Sequence, residues 1–205
     1  LEYMSSIGLF ATMYAEQVSI ELADIVIGGS NHLLSFMKYV GYNVPEQNVY
    51  VQPNVIELDL NEIKDKRNLN NKSLIFSDEL VFFGRLEVRK GLSIFFDALD
   101  FLVKRKVIPK KVTFLGKEGG NLPSEPDIPN KEQIMARAAD WPFEVSIIDN
   151  LQQKEAISFL VEKNRFAIMP SLIENSTMAV YEALIYKIPF LATSTGGTPE
   201  LIHEK

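Results

Sequence analysis

The sequence predicts an α/β fold in which parallel strands alternate with crossover helices. Three observations point to it. Short runs rich in β-branched and aromatic residues recur along the chain. Longer segments with helical apolar spacing separate them. Most of the strand-like runs close on Gly or Pro, as at Gly28-Gly29, Pro53, Gly84 and Gly196-Gly197.

Taken in order, "SIGLFATMYAEQVSIEL" (6–22) carries apolar residues at helical spacing, with an exposed apolar face and self-association through it as the expectation. "ADIVIGGS" (23–30) reads as a buried strand, and Ser30 or Asn31 caps the helix "HLLSFMKYVG", which Gly41 stops. "NVYVQPN" (48–54) is a second strand. The stretch 58–73 is polar, holds four asparagines and has no strong period, so a domain boundary is placed near residue 57, dividing the chain into 1–56 and 57–205.

Beyond that boundary the alternation resumes. "ELVFFG" is a strand and "GLSIFFDALDFLVKRK" a helix; "KVTFLG" is the next strand, followed by a proline-bearing loop (117–130) and a helix near 131–140. "FEVSIID", "RFAIMP" and "PFLATST" are strands, "KEAISFLVEK" and residues 171–184 helices. The second unit is therefore a doubly wound sheet of about five strands, which binds ligands at the carboxyl ends of its strands.

Composition narrows the chemistry. The 205 residues are 46% hydrophobic and 23% charged, an ordinary globular balance, and carry a net charge of −6, which argues against a general nucleic-acid binder. No apolar run is long enough for a membrane helix, and the start of the chain does not resemble a signal peptide. Cysteine is absent, excluding disulfides and thiolate chemistry, and only His32 and His203 are available as imidazoles, excluding a multi-histidine metal centre. A cytoplasmic location fits this pattern. Because the chain starts at Leu1 and stops within "TPELIHEK", where a helix begins to form, we expect a piece of a longer protein.

Two segments carry candidate chemistry. In "SLIENSTMAVYEAL" (171–184) a strand end leads into a helix starting at Asn175 or Ser176. Its first amides, from Ser176 to Met178, would face the crevice as an anion site. Glu182 stands eight positions after Glu174, an advance of about 12 Å and about 80° along a helix. An elongated ligand with hydroxyls at both ends and phosphates between would match; the bland alternative is a plain helix cap and a solvated Glu182. In "VFFGRLEVRKGL" (81–92) Arg85 and Lys90 follow a strand that ends at Gly84. Two cations there suit a diphosphate, although basic residues in such loops are also ordinary surface charges.

Together these segments resemble the retaining GT-B glycosyltransferases of the large family that includes sucrose synthase and many bacterial mannosyl- and glucosyltransferases. The matching strings are "GRLEVRKG", Glu174 and Glu182 separated by seven residues, and "ALIYKIPFLATSTGG", with Lys187 where Gly is usual. "ELADIVIGGS" and "VYVQPN" resemble the end of that family's N-terminal domain.

The resemblance implies transfer of a sugar from a UDP-, GDP- or ADP-sugar to an acceptor (a glycan, lipid or small molecule) with retention of configuration. Glu174, Arg85 and Lys90 would be catalytic. Gly84, Asn175, Ser176, Thr177, Met178 and Glu182 would bind donor, Glu182 through the ribose. It implies no metal and no cofactor, the cations doing a metal's work. Asn175-Ser176-Thr177 departs from the family's Gly-rich tripeptide. Residues 1–56 resemble only a remnant of the N-terminal domain, and the closing helix is missing, so weak donor binding without turnover is expected. Competing readings are a sugar-nucleotide epimerase of the same fold and a non-enzymatic nucleotide-binding or scaffold module. A dinucleotide oxidoreductase is disfavoured, since no G-x-G-x-x-G occurs.

Overall fold

The computed structural model describes residues 2–55, 79–162 and 165–202. The expected boundary near 57, the polar connection 58–73 and His203 lie outside them.

The N-terminal unit is α1 (Glu2–Glu21), β1 (Val26–Gly28), α2 (Asn31–Tyr39) and β2 (Val49–Val51). β1 and β2 pair in parallel, with Ile27 opposite Tyr50, both more than half exposed. The start of α2 follows the sequence: Ser30 is the N-cap and its side chain accepts from the Leu33 N–H. On α1, Leu9, Phe10, Met13 and Tyr14 are exposed.

The second unit contains β3 (Glu79–Phe83), α3 (Leu92–Lys104), β4 (Lys111–Leu115), α4 (Asn130–Ala138), β5 (Glu144–Ile148), α5 (Gln153–Glu162), β6 (Arg165–Met169), α6 (Met178–Ile185) and β7 (Phe190–Ala192). Single 3₁₀ turns form at Val88–Lys90 and Thr198–Leu201. Its five strands are parallel in the order β5-β4-β3-β6-β7. The order runs outward from β3 in one direction and then, through β6, in the other. The crevice of such a sheet opens at the carboxyl ends of the two strands where the direction reverses, here β3 and β6.

Both faces are covered, which is why β3 and β4 read as nearly unbroken apolar runs. Successive residues serve opposite sides. Val81 and Leu115 pack with Ile157, Leu160, Val180 and Ala183 of α5 and α6, whereas Phe82 and Phe114 pack with Phe95, Phe96, Leu99 and Ile134 of α3 and α4. The second layer is rich in rings: Phe95 meets Phe114 edge-on at 5.5 Å, and Trp141 stacks on Phe114 at 6.4 Å. Each such large apolar side chain, once buried, contributes about 1.5–3 kcal/mol.

At the amino ends of β3 and β6 a buried pair closes the sheet. Arg165 Nε donates to Glu79 Oε2 at 2.7 Å, and its guanidinium lies over the Phe159 ring at 3.5 Å. Thr113 donates to Glu79 Oε1 at 2.5 Å. Burial pushes the Glu79 carboxyl up, but the bonds from Thr113 and Arg165 outweigh it and the net shift is downward.

The proline-bearing loop after β4 is pinned. Asn130, fully buried, donates to the carbonyls of Leu86 at 2.7 Å and Gly120 at 3.1 Å and accepts from the Leu122 N–H. Among the described residues no helix is long and apolar enough to cross a membrane.

Candidate functional site

Both sequence-selected loops leave the reversal point of the sheet. The loop 84–91 follows β3 and the loop 170–177 follows β6, so adjacent strands deliver them side by side. They are joined through the main chain: the Leu172 N–H donates to the Arg89 carbonyl at 2.9 Å. Gly91 is required at this junction. Its φ is +77°, and a Cβ there would stand 1.9 Å from the Pro170 carbonyl oxygen.

The charged side chains form a connected series. Arg85 Nη2 lies 3.7 Å from Glu87 Oε1, and Arg89 Nη2 donates to that same oxygen at 2.9 Å. Arg89 Nη1 reaches Glu174 Oε2 at 3.5 Å, and Lys90 Nζ pairs with Glu174 Oε1. Ser171 Oγ also donates to Glu174 Oε1, at 2.9 Å. Glu174 is buried, Lys90 mostly buried, and Arg85 more than half exposed. The structure therefore brings Lys90 and Glu174 into contact and sets Arg85 at the rim. Arg89 and Glu87 complete the series. Sequence reading passed over them, because a cation and an acid in a charged turn look like solvated surface.

The helix start needs correction. The sequence places it at Asn175 or Ser176; α6 starts at Met178, with Thr177 at the N-cap and no side-chain capping bond. The reason is tertiary. Asn175 Oδ1 accepts from Ser30 Oγ at 2.6 Å; Ser176 Oγ accepts from the Asn54 N–H at 3.5 Å and its carbonyl from Asn54 Nδ2 at 2.7 Å. Both good capping residues are thus engaged with the N-terminal unit. The open N–H groups of the first turn of α6 fall at Met178 and the residues just after it.

Glu182 lies in the second turn of α6, 5% exposed, and is not the solvated residue of the bland alternative. The side-chain amide of Gln153, at the start of α5, donates to its Oε1. Burial pushes its carboxyl up, and the Gln153 bond only partly offsets that. A buried carboxylate facing a neutral amide is well suited to receive hydroxyl donors. Gln153 was not selected from the sequence; its partner is on another helix, and no local pattern marks it.

Gly84 forms the hinge between β3 and the loop, and its N–H donates to the Leu115 carbonyl at 3.1 Å. Lys187, where the family pattern usually has Gly, adopts φ +54°, the left-handed region that glycine enters without cost. His32 donates through its backbone N–H to Glu200 and stacks its ring on Phe36.

The model of the family described as "Glycosyl transferases group 1" matches residues 77–205, well over half of the chain. Among solved structures, the C-terminal domain of a glycosyl transferase group 1 family protein (LpcC) from Francisella tularensis is similar at 22% identity and a TM-score of 0.46. That match covers 62% of this chain and 63% of the other, so this chain spans less than two thirds of that domain. No curated protein matches. The chain belongs to the glycosyl transferases group 1 family, and the matched residues contain all five strands of its parallel α/β unit.

Proposed function

We propose that the five-stranded unit binds the nucleoside-diphosphate sugar of a retaining sugar transfer, a UDP-, GDP- or ADP-sugar, and that the whole protein passes the sugar to an acceptor. The observation that carries this reading is the pairing of Lys90 with Glu174 beside the open N-terminus of α6. A diphosphate arriving at that helix end meets backbone donors and the positive end of the dipole, and it competes with Glu174 for Lys90. Arg85, already at the rim, swings in as a second cation able to bind two phosphate oxygens at once.

In this reading Lys90 and Arg85 stabilise the charge that develops on the leaving diphosphate as the sugar becomes oxocarbenium-like, which is where most of the rate enhancement arises. Glu174, held by Arg89 and Ser171 when Lys90 turns away, faces the donor sugar. Glu182 accepts from the ribose hydroxyls. The acceptor attacks from the face that the leaving group vacates, which retains configuration. The cations take the part that a divalent ion plays elsewhere. The exposed apolar residues of α1 are the surface assigned to self-association.

Thermal shift against UDP, GDP and ADP tests the donor-binding claim. Stabilisation by one of them, lost in Arg85→Ala and Lys90→Ala, is the expected result. Indifference to all three would instead favour a scaffold module that kept the fold without the chemistry.

A further inference from the structure

The carboxylate of Glu200 spans the junction between the two units. It follows Gly196-Gly197 in the 3₁₀ turn Thr198–Leu201, at the far end of the chain from the helix it serves. Glu200 Oε2 accepts from the Asn31 backbone N–H at 2.8 Å and from Asn31 Nδ2 at 2.9 Å, and Oε1 accepts from the His32 N–H at 2.7 Å. These are the first orphan amides of α2, and the next, that of Leu33, is taken by Ser30 Oγ. One acid from the C-terminal unit thus completes the cap of a helix in the N-terminal unit, where the helix dipole favours negative charge. Burial pushes the Glu200 carboxyl up, but the donors at Asn31 and His32 outweigh it and the net shift is downward.

The same junction reaches the candidate site. Ser30, which caps α2, also donates to Asn175, the residue next to Glu174. Asn54, just beyond β2, donates to the Ser176 carbonyl. Gly197 makes the approach possible: a Cβ there would stand 1.9 Å from the Asn175 carbonyl oxygen and 2.7 Å from the Ser30 Cβ. The 174–177 segment is therefore held between its own sheet and the N-terminal unit. Glu200 sets how α2, and with it Ser30, is presented to that segment.

We propose that Glu200 is a positioning residue: by capping α2 across the junction it fixes the N-terminal unit against the 174–177 segment, with Ser30 and Asn54 passing that placement to the backbone beside Glu174. The part concerning ligand affinity rests on the reading of this segment as the diphosphate cradle. The placement itself does not depend on that reading.

The absence of cysteine makes the test direct. Spin labels on Ser35→Cys in α2 and Lys154→Cys in α5, both exposed positions, report the distance between the units. Titration of UDP, GDP and ADP into the unlabelled chain reports the site. The expected result is one narrow distance distribution in the parent and a broad one in Glu200→Ala. An intermediate width is expected in Glu200→Gln, which keeps one acceptor. Diphosphate affinity should fall five- to tenfold in Glu200→Ala and by a similar factor in Ser30→Ala, which cuts the transmitting bond without touching Glu200.

An unchanged distribution in Glu200→Ala overturns the proposal. A broadened distribution with unchanged affinity overturns the link to the site. If the parent binds none of the three diphosphates, the donor reading fails, and the distance distributions still decide the role of Glu200.

Discussion

Lys90 and Glu174, 84 residues apart in sequence, meet as an ion pair that closes the gap between the loops following β3 and β6. If that ammonium is the group a diphosphate draws away, substitutions on the two sides of the pair act with opposite sign. Lys90→Met removes the phosphate ligand and is expected to weaken diphosphate binding at least about tenfold, or ~1.4 kcal/mol. Glu174→Gln releases Lys90 and Arg89 and is expected to leave diphosphate affinity equal or a few times tighter. Isothermal titration of both variants checks this; equal losses in the two would mean that the pair acts only as a brace.

The buried Glu182 carries a signature in the pH dependence of stability. Its carboxyl is raised by burial, so between its ordinary value and its native value the folded chain holds more protons than the unfolded one. Unfolding free energy contributed by this group therefore falls as pH rises through that window. Glu182→Gln removes the slope, and urea unfolding from acid to neutral pH measures it. Parallel profiles for parent and variant would contradict the assignment.

The Arg165–Glu79 pair, at the opposite end of the sheet, governs stability and not the site. Arg165→Ala leaves the Glu79 carboxylate buried without its guanidinium and is expected to cost about 3–5 kcal/mol. Because Glu79 is lowered overall, the stability it contributes is present above its ordinary value and is lost as pH falls through its native one. Denaturant melts of Arg165→Ala should show the loss at neutral pH, with diphosphate affinity of the folded fraction unchanged.

Lys187 holds a φ of +54° with its side chain exposed. Lys187→Gly relieves the left-handed strain, partly offset by the freer unfolded chain, and is expected to stabilise by ~0.5–1 kcal/mol. A loss of stability in thermal melts would show that the lysine side chain contributes something the backbone strain does not reveal.

How far the sequence could be read depended on how local each signal was. The five strands of the second unit, their helices and the loop "GRLEVRKG" announce themselves within a few residues, through alternation, apolar runs and a glycine where the chain turns under Pro170. Helix α6 shows where local reading stops. Asn175 and Ser176 are better caps than Thr177, yet Ser30 and Asn54 claim them from more than a hundred positions away, and the helix starts two or three residues late. Arg89 was hidden by resembling the charges around it. Gln153 and Glu200 were hidden because their partners lie on other elements, at Glu182 and at the start of α2. Separations of that kind leave no periodicity and no spacing to detect.

In the proposed function a pyrophosphate sits between the helix tip at Met178 and the cations Lys90 and Arg85. Titration of UDP, GDP and ADP alongside their monophosphates measures it most directly. One diphosphate is expected to bind, its monophosphate much more weakly, and Lys90→Met is expected to abolish the difference. A monophosphate that binds as tightly as its diphosphate, or binding indifferent to Lys90, would contradict it.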